Sequence, residues 1–271
     1  MRKNTRVAAI LAVVALTIAA LSFSAASASA LVSVPTNVGV PTGTSLTTIT
    51  GDYTVSTANS VLDAKDINGK LIISANNVLV MRTKVRSTGH TGDGITITNG
   101  YTGTTIIDVT VIGFENSVAG GNYNAARLDV SDMAADGFKV GSNTNIVGSY
   151  CHDVYVDEEA HADCAQAQAG VVNVNITGNY FDATGGNSAL FIAPDLGPSA
   201  YGPINVINNY FNGGNYTVQA VNGANGTYHN YRNVFAGNRW GNTHVYGYEN
   251  VAEVVYYDYA TNVRDDTGAG V

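Results

Sequence analysis

Gly148-Ser149-Tyr150-Cys151, Gly178-Asn179-Tyr180-Phe181, Asn208-Asn209-Tyr210-Phe211 and Gly237-Asn238-Arg239-Trp240 are four versions of one phrase, and their starts lie 30, 30 and 29 residues apart. A beat this regular marks stacked copies of one supersecondary unit. Each copy splits into two short strands. One ends in the phrase (Val174-Asn175-Ile176-Thr177, Ile204-Asn205-Val206-Ile207), and one follows a turn (Ala189-Leu190-Phe191-Ile192, Tyr216-Thr217-Val218-Gln219). Stacking the copies puts Tyr150, Tyr180 and Tyr210 in one column, Asn179, Asn209 and Asn238 in a second, and Cys151, Phe181, Phe211 and Trp240 in a third. Aromatic stacks and asparagine ladders fill a narrow core and satisfy its turns, so these columns are read as structural.

Upstream, Leu71-Ile72-Ile73-Ser74, Val78-Leu79-Val80-Met81, Ile95-Thr96-Ile97-Thr98 and Ile106 to Val111 are β-branched runs broken by Gly, Asn and Asp. They have strand length and no 3.6-residue period. Strands at such spacing also suit a sandwich, but a sandwich does not repeat one phrase every thirty residues. The content of 30 Gly and 16 Tyr, with only 13 % charged residues, fits an all-β chain with many tight turns.

The first thirty residues read as a secretion signal: Arg2, Lys3 and Arg6, an apolar run from Val7 to Ala20, then Ala28-Ser29-Ala30. The run is too short for a membrane anchor. The remainder, about 241 residues, carries ten basic against twenty-one acidic groups, a balance of −11. Such acidity argues against nucleic acid and anionic membranes as partners. A secreted, extracellular monomer without membrane insertion is expected. Residues 31–50 read as an extended cap, 51–245 as the repeat scaffold and 246–271 as a Tyr-rich tail packed on its last units. Cys151 and Cys164 flank an acidic insertion. Either they bridge and pin it, or Cys151 takes the core place that Phe181 and Phe211 take in later copies.

Ile176-Thr177-Gly178-Asn179-Tyr180-Phe181 and Val206-Ile207-Asn208-Asn209-Tyr210-Phe211 resemble right-handed parallel β-helix proteins of the pectin-lyase-like superfamily. Val61 to Asp66 with Leu71 to Ile73, and Asn212-Gly213-Gly214-Asn215-Tyr216-Thr217, resemble secreted bacterial members of it. The resemblance covers roughly residues 46–245. It implies a single coil of about eight rungs and a polysaccharide as partner. The superfamily spans lyases, hydrolases, esterases, epimerases and non-catalytic surface proteins, so chemistry has to come from the site.

Aligning the second strands places Asp93-Gly94, Asp136-Gly137 and Asp163-Cys164 together. Alternation then turns Ile95/Ile97, Phe138/Val140, Ala165/Ala167 and Ala189/Phe191 inward, and Thr96, Lys139, Gln166, Gln168, Leu190, Ile192, Thr217 and Gln219 outward. With His152, this amide-rich outer strip is the expected substrate-binding face. His161-Ala162-Asp163-Cys164-Ala165-Gln166 resembles a His-x-Asp-Gly-x-Gln segment of secreted β-helix proteins, with Cys164 in place of Gly. A histidine beside a carboxylate suits general acid–base work; a tie between loop and strand is the other use of such a pair.

Three functions compete. In a lyase, His161 or Lys139 takes the proton next to a uronate carboxylate, which Arg127 or a calcium ion neutralises; Asp163 supports His161, and Asp136, Asp157 and Glu158 are the candidate calcium ligands. In a hydrolase, Asp136, Asp163 and Glu158 supply the carboxyl pair. The Asn-Thr-Asp, Asp-Asp, Gly-His-Gly and Arg-Ile-Lys marks of polygalacturonase-like hydrolases are absent, as is the Arg-x-Pro-x-x-Arg segment of pectate lyases. In a glycan-binding scaffold, the strip holds polymer and nothing reacts. Elimination ranks first.

Overall fold

The computed structural model describes residues 33–155, 161–168, 170–193, 202–220, 234–251 and 256–271. Among these, three parallel sheets of ten (A), nine (B) and nine (C) strands run the length of the molecule, and the chain visits them in turn. Each circuit enters C, turns into A, turns into B and returns, which makes a right-handed parallel β-helix. Every strand inside a sheet pairs with its counterpart one circuit earlier and later, as Val174–Thr177 does with Thr144–Val147 and Ile204–Ile207.

The recurring phrase is the turn from C into A. Its first residue has a left-handed backbone in every copy: φ is 57° at Gly148, 65° at Gly178, 56° at Asn208 and 67° at Gly237. Glycine and asparagine tolerate that region best. Its second residue lies inside the turn. Asn179, Asn209 and Asn238 each accept from the backbone N–H of the preceding copy's second residue, at 2.9, 2.9 and 3.0 Å, and each donates to a buried carbonyl, Ile146, Ile176 or Val206. Asn262 extends the ladder by one more rung. Cys151, Phe181, Phe211 and Trp240 line the core directly behind the turns, in register and fully buried.

Both ends of the scaffold differ from expectation. Thr47–Thr50 already pairs with Lys65–Asn68, so the coil starts before residue 51. The lead-in does not lie over the first rung at Gly39 and Val40. Gly39 donates to the Arg127 carbonyl at 2.8 Å and Val40 to Thr110 Oγ1 at 3.1 Å, along the flank of sheet A. A Cβ on Gly39 would sit 2.5 Å from Thr110 Oγ1, so only glycine passes there. The tail is itself coil: Gly247–Val251 joins sheet B, Tyr256–Tyr257 sheet C and Val263–Arg264 sheet A. The signal segment, residues 1–30, lies outside the described residues.

Circuits also change length along the axis. Measured between paired residues of sheet C, they are 18, 26, 19 and 21 residues long from Asp63 to Val147, then 30, 30 and 29 from Val147 to Ala236. The extra residues fall in connections that enter or leave sheet B: 153–162, 194–203 and 221–233. Connections on a rigid scaffold are where binding and catalysis concentrate, and in chain order all three long ones adjoin strands of sheet B.

Candidate functional site

The sheet-B strands Asp136–Val140 and Asp163–Gln168 pair so that Asp136 lies opposite Asp163 and Lys139 opposite Gln166. Parallel neighbours are about 4.8 Å apart, so the three residues expected to converge, Lys139, Asp163 and Gln166, do. The outward column runs Thr96, Ala119, Lys139, Gln166, Phe191, Gln219, Asn250 on successive rungs. Lys139 is its one charged member, with 46 % of its side chain open to solvent. Gln168 donates to Gln166 Oε1 at 2.9 Å, Gln166 to Asp163 Oδ2 at 3.3 Å, and Gln219 to Ser188 Oγ at 2.6 Å. The amides are thus pre-oriented along the strip.

Below the column, where strands leave the A-to-B turn, a polar ladder runs up the axis. Asn116 donates to Asp93 Oδ1 at 2.9 Å and accepts from the Asp136 N–H at 3.2 Å; Asn187 donates to Asp163 Oδ1 at 2.9 Å. Among the described residues, no side-chain donor bridges Asp136 and Asp163. Asp136 Oδ2 lies 3.7 Å from Lys139 Nζ, and its buried Oδ1 has no hydrogen-bond partner. Burial raises the Asp136 carboxyl from 3.8 to about 7, against the pull of Lys139. Burial, then the neighbouring Asp136 charge, drives Asp163 upward as well. Two stacked buried carboxyls cannot both ionise cheaply.

That arrangement gives a stability prediction. A carboxyl whose folded pKa is raised favours the fold fully below its unfolded value and loses that contribution as pH rises through the folded one. The thermal midpoint is therefore expected to fall as pH rises from about 4 toward about 7, and Asp136→Asn to remove the Asp136 share of that fall, on the order of 4 kcal/mol, with the part of the Asp163 shift that the Asp136 charge causes. Scanning calorimetry across that range checks it; an unchanged slope in the variant contradicts it. Burial alone would lower the His152 imidazole, but its bonds to Asp129 and Asp153 outweigh that and raise it. Its share is fully present below the ordinary imidazole value and is lost as pH rises through the raised one.

Several expected site residues stand elsewhere. Thr217, Leu190 and Ile192 are fully buried, while Phe191 faces out. Strands leaving the turn point two consecutive residues inward, Cys164 and Ala165 or Ala189 and Leu190, so alternation starts one residue later than expected. Arg127 lies in the C-to-A turn, clamped to Asp108 by two bonds of 2.6 and 2.9 Å, and it is not part of the sheet-B column. His152 lies on the outer face of sheet A, stacked on Tyr150 at 4.0 Å, with Nε2 2.9 Å from Asp129 and Nδ1 2.7 Å from Asp153. It belongs to that cluster and not to the strip.

His161 is exposed, whereas Asp163 is buried and both its oxygens accept from amides, so the expected His161–Asp163 pair does not form. Of the candidate calcium ligands, Asp157 and Glu158 lie outside the described residues, and Asp136 lies beneath the strip. Among the described residues no group of three or more His, Cys, Asp or Glu is arranged to hold a metal ion. The same burial takes Asp136 and Asp163 away from a glycosidic oxygen, which disfavours them as a hydrolytic pair. Cys151 and Cys164 are bridged, closing the base of the connection that enters sheet B beside Asp163, while Cys151 also keeps the core place in register with Phe181.

Sequence reasoning missed Phe191 because it turned that strand over. It also missed Asn187 and the pairing of His90 with Asp132 (3.0 Å) under a stacked Tyr155 (3.9 Å). Neither carries a local signal, since their partners are 24 or more residues away.

No family model matches the sequence, and no curated protein matches it. Among solved structures, the crystal structure of pectate lyase Pel9A superposes with a TM-score of 0.51 at 14 % identity, over 74 % of this chain. The fold is the parallel β-helix of that lyase. The match spans 56 % of the Pel9A chain, and identity this low carries the fold alone.

Proposed function

We propose that this protein is exported and acts on an extracellular, uronate-containing polysaccharide by β-elimination, with the polymer lying along the outer face of sheet B and Lys139 as the base. The observation that supports it is the placement of Lys139: half-exposed and the single charge in an outward column that carries the amides of Gln166, Gln219 and Asn250. Amides at Gln166, Gln168 and Gln219 suit a polyhydroxylated ligand, and a lysine suits an acidic one. In its neutral form the amine takes the proton beside the uronate carboxylate. The electron pair left behind forms the new carbon–carbon double bond, the bond to the glycosidic oxygen breaks, and that oxygen gains a proton from solvent. The products are a shortened chain and an unsaturated uronate.

Incubation with a panel of pectic, alginate and glycosaminoglycan polymers tests this directly. The expected result is ultraviolet absorbance from the unsaturated end in step with new reducing ends. Reducing ends without that absorbance would replace elimination by hydrolysis, and retention on an insoluble polymer without either would make the strip a binding surface only.

A further inference from the structure

Beyond Lys139 toward the C-terminus, the sheet-B face changes character. The rung position occupied by Asp136 and Asp163 passes to Ser188 and then to Tyr216. The outward column gains Phe191 between Gln166 and Gln219. Tyr246 follows on the rim of the next rung, its N–H donated to the Asn215 carbonyl at 2.8 Å, with its ring 5.7 Å from that of Tyr216. Tyr246 is 69 % exposed and its neighbour Val245 68 %, an unusual openness for large apolar side chains side by side. Toward the N-terminus the same column offers Ala119, Thr96 and Ile72, with no ring and no amide.

We infer that Phe191, Tyr216 and Tyr246, with Gln219 between them, form a sugar-binding extension of the site that holds the polymer up to four rungs from Lys139, on the C-terminal side only. Aromatic rings offer flat apolar faces to the C–H faces of pyranoses, and the intervening amide meets their hydroxyls. Phe191 lies in the column that carries Lys139, and Tyr216 and Tyr246 follow one and two rungs further along the axis, at the edge of the same sheet where its strands begin. This rests on the polysaccharide reading above and adds its direction and reach. Four rungs at about 4.8 Å place Tyr246 roughly 19 Å along the axis from Lys139, the length of several sugar residues.

Titration calorimetry with a length series of oligogalacturonides, from the dimer upward, and a parallel alginate series tests it, with Lys139→Ala as background so that nothing is consumed. Affinity is expected to climb with length until the oligomer reaches Tyr246, then level. Tyr246→Ala should lower the affinity for long oligomers roughly tenfold, about 1.4 kcal/mol, and leave the dimer unchanged; Phe191→Ala should act likewise on intermediate lengths. Tyr53→Ala, at the far end of sheet B, should change nothing. An unaltered length dependence in Tyr246→Ala overturns the extension, as does an equal loss in Tyr53→Ala. Turnover of short oligomers by the wild type with no gain for longer ones removes the extension and keeps the elimination. Length-dependent binding with no unsaturated product does the reverse.

Discussion

Replacing Asn209 by leucine is expected to destabilise the coil by roughly 2–6 kcal/mol. The Asn209 amide oxygen accepts from the Asn179 N–H at 2.9 Å and from Asn179 Nδ2 at 3.0 Å, while its nitrogen donates to the Ile176 carbonyl at 2.9 Å and to Asn238 Oδ1 at 3.0 Å. Leucine keeps the volume and removes all four. The Asn179 N–H and the Ile176 carbonyl are then buried without partners, at about 1–3 kcal/mol each. The outer ladder on sheet C gives the contrast. Asn175 also bonds its counterparts, Asn145 and Asn205, at 2.6 and 2.7 Å, but it is half-buried and water can replace what alanine removes. Asn175→Ala should therefore cost below about 1 kcal/mol. Denaturant titration of the two variants side by side decides it; equal losses would mean the buried ladder contributes no more than its exposed twin.

The same ladder explains what could be read from sequence. The phrase is visible only from Gly148 onward because only there do glycine or asparagine fill the left-handed position, with Ser149 and then three asparagines behind it. In earlier circuits Ala64, Arg82, Asp108 and Arg127 take the same backbone, with φ between 46° and 56°, and Val109 and Leu128 stand where the asparagines stand later. Those turns look unrelated in sequence and are identical in conformation. Arg82 and Arg127 reach back to Asp63 and Asp108 of the neighbouring rung. Arg127 thus looked like a free cation in the sequence because its partner is nineteen residues away. The stacking of Asp136 on Asp163 was legible, since the Asp-Gly and Asp-Cys starts align; the facing of Leu190 was not, because a bend at the turn points two residues inward before alternation begins. His161 illustrates a third limit. Its pairing with Asp163 was inferred from proximity in sequence, whereas Asn187, one rung on, already holds the carboxylate.

Lys139→Ala is expected to lower turnover of the cleaved polymer by about 10²–10⁴, the usual worth of a positioned general base. The thermal midpoint should barely move, because nearly half of the side chain is in water and its contact with Asp136 is long, at 3.7 Å. Lys139→Arg should not restore activity: a guanidinium keeps the charge but does not give up its proton in the working range. His161→Ala should leave turnover near the wild-type level, since His161 is exposed and lacks the carboxylate that would orient it. The two alanine variants are opposed by design. Should His161→Ala abolish the unsaturated product while Lys139→Ala leaves it intact, the base sits on the connection and not on the strip.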